Sequence, residues 1–147
     1  MILKNVQRMK LISSNLGYGP FPMPDEEIEQ HLTLRNDGRI WLSRYVLGDG
    51  WPYRRISTEY YKIDRDLAAD ALAKLGAHFL ADHMRTFVTD ISDWIITLFG
   101  DDGTVFRENG SMCGVACANI DFSKLLRGII PADNLFLFEV YCEEDDE

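Results

Sequence analysis

Three cysteines in 147 residues are an odd and sparse set, too few for a disulfide framework and better matched to a reducing compartment than to secretion. No stretch approaches the ~18 consecutive apolar residues of a membrane span. The opening residues break their apolar positions with Lys4, Arg8 and Lys10, so they lack the uninterrupted apolar region of a secretory signal. A cytoplasmic location is the expectation. Also absent are a glycine-rich phosphate loop, a Gly-x-Ser-x-Gly elbow and any basic stripe. Nucleotide chemistry, ester hydrolysis and direct nucleic-acid binding therefore have no support along the chain.

Apolar residues make up 46% of the chain and charged residues 27%, a composition that folds rather than staying disordered. The length suits one domain with a real core. The net charge of −9 is unevenly spread: residues 1–24 carry three bases and no acids, 25–66 seven bases and nine acids, and 67–147 five bases and fifteen acids. Five of those acids are the run 143–147, without which the charge is −4. The expectation is a single α+β domain over 1–142 followed by an acidic tail.

Two segments share a pattern. Leu32 to Trp41 and Ile96 to Phe106 each set an Asp-Gly pair, Asp37-Gly38 and Asp102-Gly103, between alternating apolar runs, a hairpin signal because glycine adopts φ > 0 freely. Each is followed by Ile-Asp opening a helical pattern, at Ile63-Asp64 and Ile120-Asp121. Both aspartates read as helix caps rather than catalytic acids. From glycine to isoleucine the interval is 25 residues in the first half and 17 in the second, which places an insertion over 48–55.

Ala68, Ala71, Leu72, Leu75 and Phe79 form one helical stripe within a helix expected over 67–84, with Gly76 packed closely against the sheet. A second helix is expected over 125–130, and an interior closing strand over 135–141. Residues 6–12 read as an edge strand that could pair across a two-fold axis. The fold expected is an antiparallel-rich sheet with two helices on one face, in two hairpin-then-helix halves, plus that final strand.

No catalytic residue, cofactor or metal site is assigned. Cys113 and Cys117 have ligand-like spacing that Cys142 or His31 could complete, but no second close pair is present, and buried free cysteine is the simpler reading. His78 and His83, five residues apart, do not share a helix face and read as solvent-facing or singly hydrogen-bonded.

The inserted loop carries Trp51, Tyr53, Arg54 and Arg55, residue types enriched in interface hot spots. Two readings stand: a partner-binding loop, or a lid folded over the sheet edge with the arginines paired to Asp49 or Glu59. The expected function is a non-enzymatic protein-interaction module, with an inhibitor or immunity-like protein acting on a nucleic-acid-binding partner as its narrower form. The alternative is a small cysteine/histidine metal protein or enzyme.

Overall fold

The computed structural model describes residues 5–15, 23–81, 93–111, 116–117 and 120–138. In chain order these form β1 (Val6–Ser14), β2 (Glu27–Arg35), β3 (Arg39–Val46), β4 (Arg54–Lys62), α1 (Arg65–Phe79), β5 (Asp93–Gly100), β6 (Val105–Ser111), β7 (Ala116–Cys117), β8 (Ile120–Asp121) and α2 (Phe122–Ile129). The six long strands make one antiparallel sheet in the order β4-β3-β2-β1-β5-β6, and β7 and β8 pair separately. The chain is of mixed α+β class. Among the described residues no helix is long and apolar enough to cross a membrane.

Strict alternation builds the sheet. Strand side chains point to opposite faces in turn, and β2, β3 and β5 alternate between buried and partly exposed residues along nearly their whole length. The buried set, including Met9, Leu11, Leu32, Leu34, Ile40, Leu42, Ile96 and Leu98, joins Leu72, Leu75 and Phe79 of α1 and Phe122 and Leu126 of α2 in one core cluster. Gly76 lies where expected: a Cβ there would come within 2.8 Å of Val6 Cγ2 on β1.

Both expected hairpins form. Each turn uses the same local device, an aspartate whose carboxylate accepts the backbone N–H two residues on: Asp37 from Arg39 at 3.1 Å and Asp102 from Thr104 at 3.0 Å. Gly38 sits at φ 95°, and a Cβ there would lie 2.1 Å from the Ile63 carbonyl oxygen, so only glycine lets the β2–β3 turn meet the β4–α1 connection. Asp64 caps α1 by accepting from Asp66 N, and Asp121 caps α2 by accepting from Ser123 N and Lys124 N.

Three expectations need correction. Strand β1 is central, paired on both sides by β2 and β5, so it offers no free edge; the edges are β4 and β6. Arg8 and Lys10 alternate with the buried Met9 and Leu11 and so lie on the face of β1 away from the core. Helix α1 ends at Phe79, and residues 82–84 of its expected span lie outside the described residues. Residues 135–138, the start of the expected closing strand, form no strand, and Leu137 has φ 52°; residues 139–141 lie outside the described residues.

Side chains hold the backbone of 133–138 where a ladder was expected. Ser13 Oγ donates to Leu137 O at 2.6 Å, Gln30 Nε2 to Asn134 O at 2.6 Å and Arg44 Nη2 to Asp133 O at 2.6 Å, while Phe136 N donates to Gln30 Oε1 at 2.9 Å. Ser13, Gln30 and Arg44 are consecutive cross-strand partners on β1, β2 and β3. A row of polar residues at buried positions thus satisfies a segment too turned to pair as a strand.

Candidate binding surface

The second face of the sheet carries the alternate residues of the same strands. Strand pairing sets them in rows across the sheet. Nearest the Asp37-Gly38 turn the row reads Lys62, Arg39, Arg35, Arg8, Phe99, Val105. Arg35 and Arg39 there flank the turn, one step beyond the Leu34–Ile40 pair. The next row reads Tyr60, Trp41, Thr33, Lys10, Thr97, Arg107, and the third Thr58, Ser43, His31, Ile12, Ile95, Asn109. These eighteen positions hold six lysines and arginines and no acid, in a chain of net charge −9.

Rings and cations interleave on this face. The Arg8 guanidinium lies 4.0 Å from the Phe99 ring centroid and that of Arg39 5.7 Å from Trp41, while Trp41 and Tyr60 meet edge to face at 5.5 Å. Asp37 pairs with Arg39 at 2.8 Å from the turn at the margin. Its carboxyl is held below the usual aspartate range, first by the Arg39 backbone N–H and further by the Arg39 side chain, against the opposing effect of burial. At the other end of the strands acids return: Glu29 lies opposite Tyr45 and pairs with His31 at 2.7 Å, and Asp93 opens β5.

Trp51 lies in the β3–β4 connection at that acidic end and is 82% exposed. Tyr53 is half-buried, and Arg54 and Arg55 are exposed at the start of β4. Arg55 lies opposite Tyr45 and so shares the second face, while Arg54 lies opposite Val46, a core-side position. The lid arrangement fails for Trp51, which stays in solvent. It fails equally for a pairing with Glu59, whose carboxylate is taken by Arg44, Ser57 and Tyr61.

The Glu59 site is a partly buried clasp that the linear pattern does not reveal. Arg44 Nε donates to Glu59 Oε2 at 2.5 Å and Arg44 Nη1 to Glu27 Oε2 at 3.1 Å. Burial opposes the Arg44 charge, but the hydrogen bonds and charges of Glu59 and Glu27 outweigh it and raise the guanidinium pKa. The bond from Arg44, with smaller help from Tyr61 and Ser57, holds Glu59 below the usual carboxylate range, and the same carboxylate raises the Tyr61 hydroxyl. With two carboxylates, a guanidinium and the 133 and 134 carbonyls already bonded to one another, the cluster fastens a chain segment.

Cys113 and Cys142 lie outside the described residues, and of Cys117 only the strand position is described. Among the described residues no three His, Cys, Asp or Glu side chains gather as a metal site. His78 corrects its solvent-facing expectation: it is 7% exposed, between Phe79 and Phe122 at 4.7 and 5.3 Å. His83 lies outside the described residues. No family model matches this chain, and no similar protein was found among curated proteins or solved structures.

Proposed function

We propose that this chain is a non-enzymatic binding module that takes a protein partner on the Trp51, Tyr53, Arg54 and Arg55 loop and the free edge of β4. One observation carries the reading. Of the six large hydrophobic residues left exposed among the described residues, Trp51 (82%), Ile56 (51%) and Tyr60 (53%) fall on this loop and this edge strand.

The chemistry suits an interface. Contiguous exposed apolar side chains are unfavourable in water and mark contact sites, and an edge strand presents unpaired N–H and C=O groups that a partner's strand can complete. A large ring beside two arginines supplies contact area together with directional donors. The same reading takes the chain as two hairpin-then-helix halves with both helices on one sheet face, supported by the matching caps Asp64 and Asp121. The first half then differs from the second by the insertion over 48–55, which carries the loop.

The test is photo-crosslinking from position 56 in native lysate, comparing the parent protein with a Trp51→Ala/Arg54→Ala variant of unchanged thermal stability. The reading expects a discrete adduct that the variant loses. Equal adducts from both proteins, or none from either, would contradict it.

A further inference from the structure

We infer that the sheet face opposite the core, at the Asp37-Gly38 end, is a binding site for single-stranded nucleic acid, with Lys62, Arg39, Arg35 and Arg8 facing its phosphates and Trp41 and Tyr60 its bases. The inference does not rest on the protein-binding reading, which centres on the Trp51 loop at the opposite end of the strands; the two share Tyr60 and strand β4.

The arrangement costs the fold stability that an anion would return. Arg8 stands directly opposite Arg35, and Arg39 directly opposite Lys62; like charges facing across strands are destabilising. Among the described residues only Arg39 of the six cations has an ion pair, to Asp37. The Arg35 Nε is buried and has no hydrogen-bond partner, a donor in need of an acceptor. Four adjacent strands at about 4.8 Å spacing make the cationic row about 14 Å long, a track rather than a point site.

Charge and rings together select the occupant. A second copy of the chain is disfavoured, since a two-fold contact would press six cations against six with no acid between them. An acidic protein segment would satisfy the cations but leave the rings unused. Single-stranded nucleic acid uses both, because phosphates follow a basic track while bases stack on aromatic faces irrespective of sequence. The cations come from five strands, so they never form a run in the sequence, and this proposal departs from the linear expectation for that reason. The net charge of −9 opposes approach from afar, but at physiological salt it is screened beyond about 8 Å, which leaves the local row in control.

The experiment measures fluorescence anisotropy of labelled oligo-dT and oligo-U of about twelve nucleotides, a length within the span of single-strand sites on β folds. Contacts to four to six phosphates give a slope of log affinity against log salt of about −3 to −4, a loss of about 60- to 250-fold between 50 and 200 mM. Arg8→Gln/Arg35→Gln lowers the slope by about 1.4, and Trp41→Ala weakens binding about 5- to 150-fold. The exposed pair Lys10→Gln/Arg107→Gln, expected to act in the same direction, serves if the first pair is poorly folded. Trp51→Ala leaves oligonucleotide affinity unchanged, which separates this site from the loop.

Absence of binding at 50 mM salt, or wild-type affinity in both charge variants, overturns the proposal. So does a duplex that binds as tightly as the single strand. Competition by polyglutamate equal to that by oligo-U, with Trp41→Ala silent, overturns it in favour of an acidic protein ligand.

Discussion

The two faces of the six-stranded sheet come from the same strands, residue by residue in alternation, yet they obey different rules. On one, Met9, Leu11, Leu32, Leu34, Ile40, Leu42, Ile96 and Leu98 are removed from water and belong to the same core cluster as residues of α1 and α2. On the other, Arg8, Lys10, Arg35, Arg39, Lys62 and Arg107 share a surface with Trp41, Tyr60 and Phe99. The first face lowers the free energy of folding. The second sets like charges opposite one another at Arg8–Arg35 and Arg39–Lys62, a cost that the proposed ligand would offset. Stability and binding should therefore separate by residue parity along a single strand.

The largest effects belong to the covered face. Leu32→Ala, at a position 2% exposed, should cost about 2–5 kcal/mol by denaturant unfolding. Its neighbour Thr33→Ala, on the second face, should change stability by no more than about 0.5 kcal/mol. Comparable losses from the two would erase the distinction.

Next comes the clasp at the far end of the covered face. Arg44→Ala leaves Glu27 and Glu59 without their cation and the 133 carbonyl without its donor, an expected loss of about 2–3 kcal/mol. Hydrogen exchange should localise the loosening to residues 133–138. Uniform loss of protection would count against a local clasp.

That clasp also sets an acid limit. Glu59 has a lowered pKa in the folded protein, first because Arg44 hydrogen-bonds its carboxylate. Its contribution is therefore full above the ordinary glutamate pKa of about 4.3 and is lost as pH falls through the depressed value. Glu59→Gln should be less stable at neutral pH and fall less steeply below about pH 4.3; parallel acid limbs would remove Glu59 from the account.

Much of the covered face was legible in the sequence. Alternation around Asp37-Gly38 and Asp102-Gly103 announces both hairpins, and the stripe from Ala68 to Phe79 announces α1, because periodicity reports burial on one side of an element. The central position of β1 was not legible. Arg8 and Lys10 resemble edge protection, whereas a strand with one face away from the core carries the same alternation in the middle of a sheet. Residues 135–138 misled in the opposite way: Leu135, Phe136, Leu137 and Phe138 are buried as a strand would be, but their backbone bonds go to Ser13, Gln30 and Ser123. The cationic row was invisible because register across strands assembles it, and no one strand contributes more than two of its residues. The Trp51 loop was visible as unusual composition, though only the structure shows its tryptophan in solvent.

The central claim is that the two faces divide folding from binding, and Arg8→Gln/Arg35→Gln tests it most directly when one sample is assayed both ways. The account predicts a melting temperature at low salt equal to or above that of the parent, because a like-charged cross-strand pair is removed, together with at least tenfold weaker binding of oligo-dT. A lowered melting temperature with oligonucleotide affinity intact would contradict it.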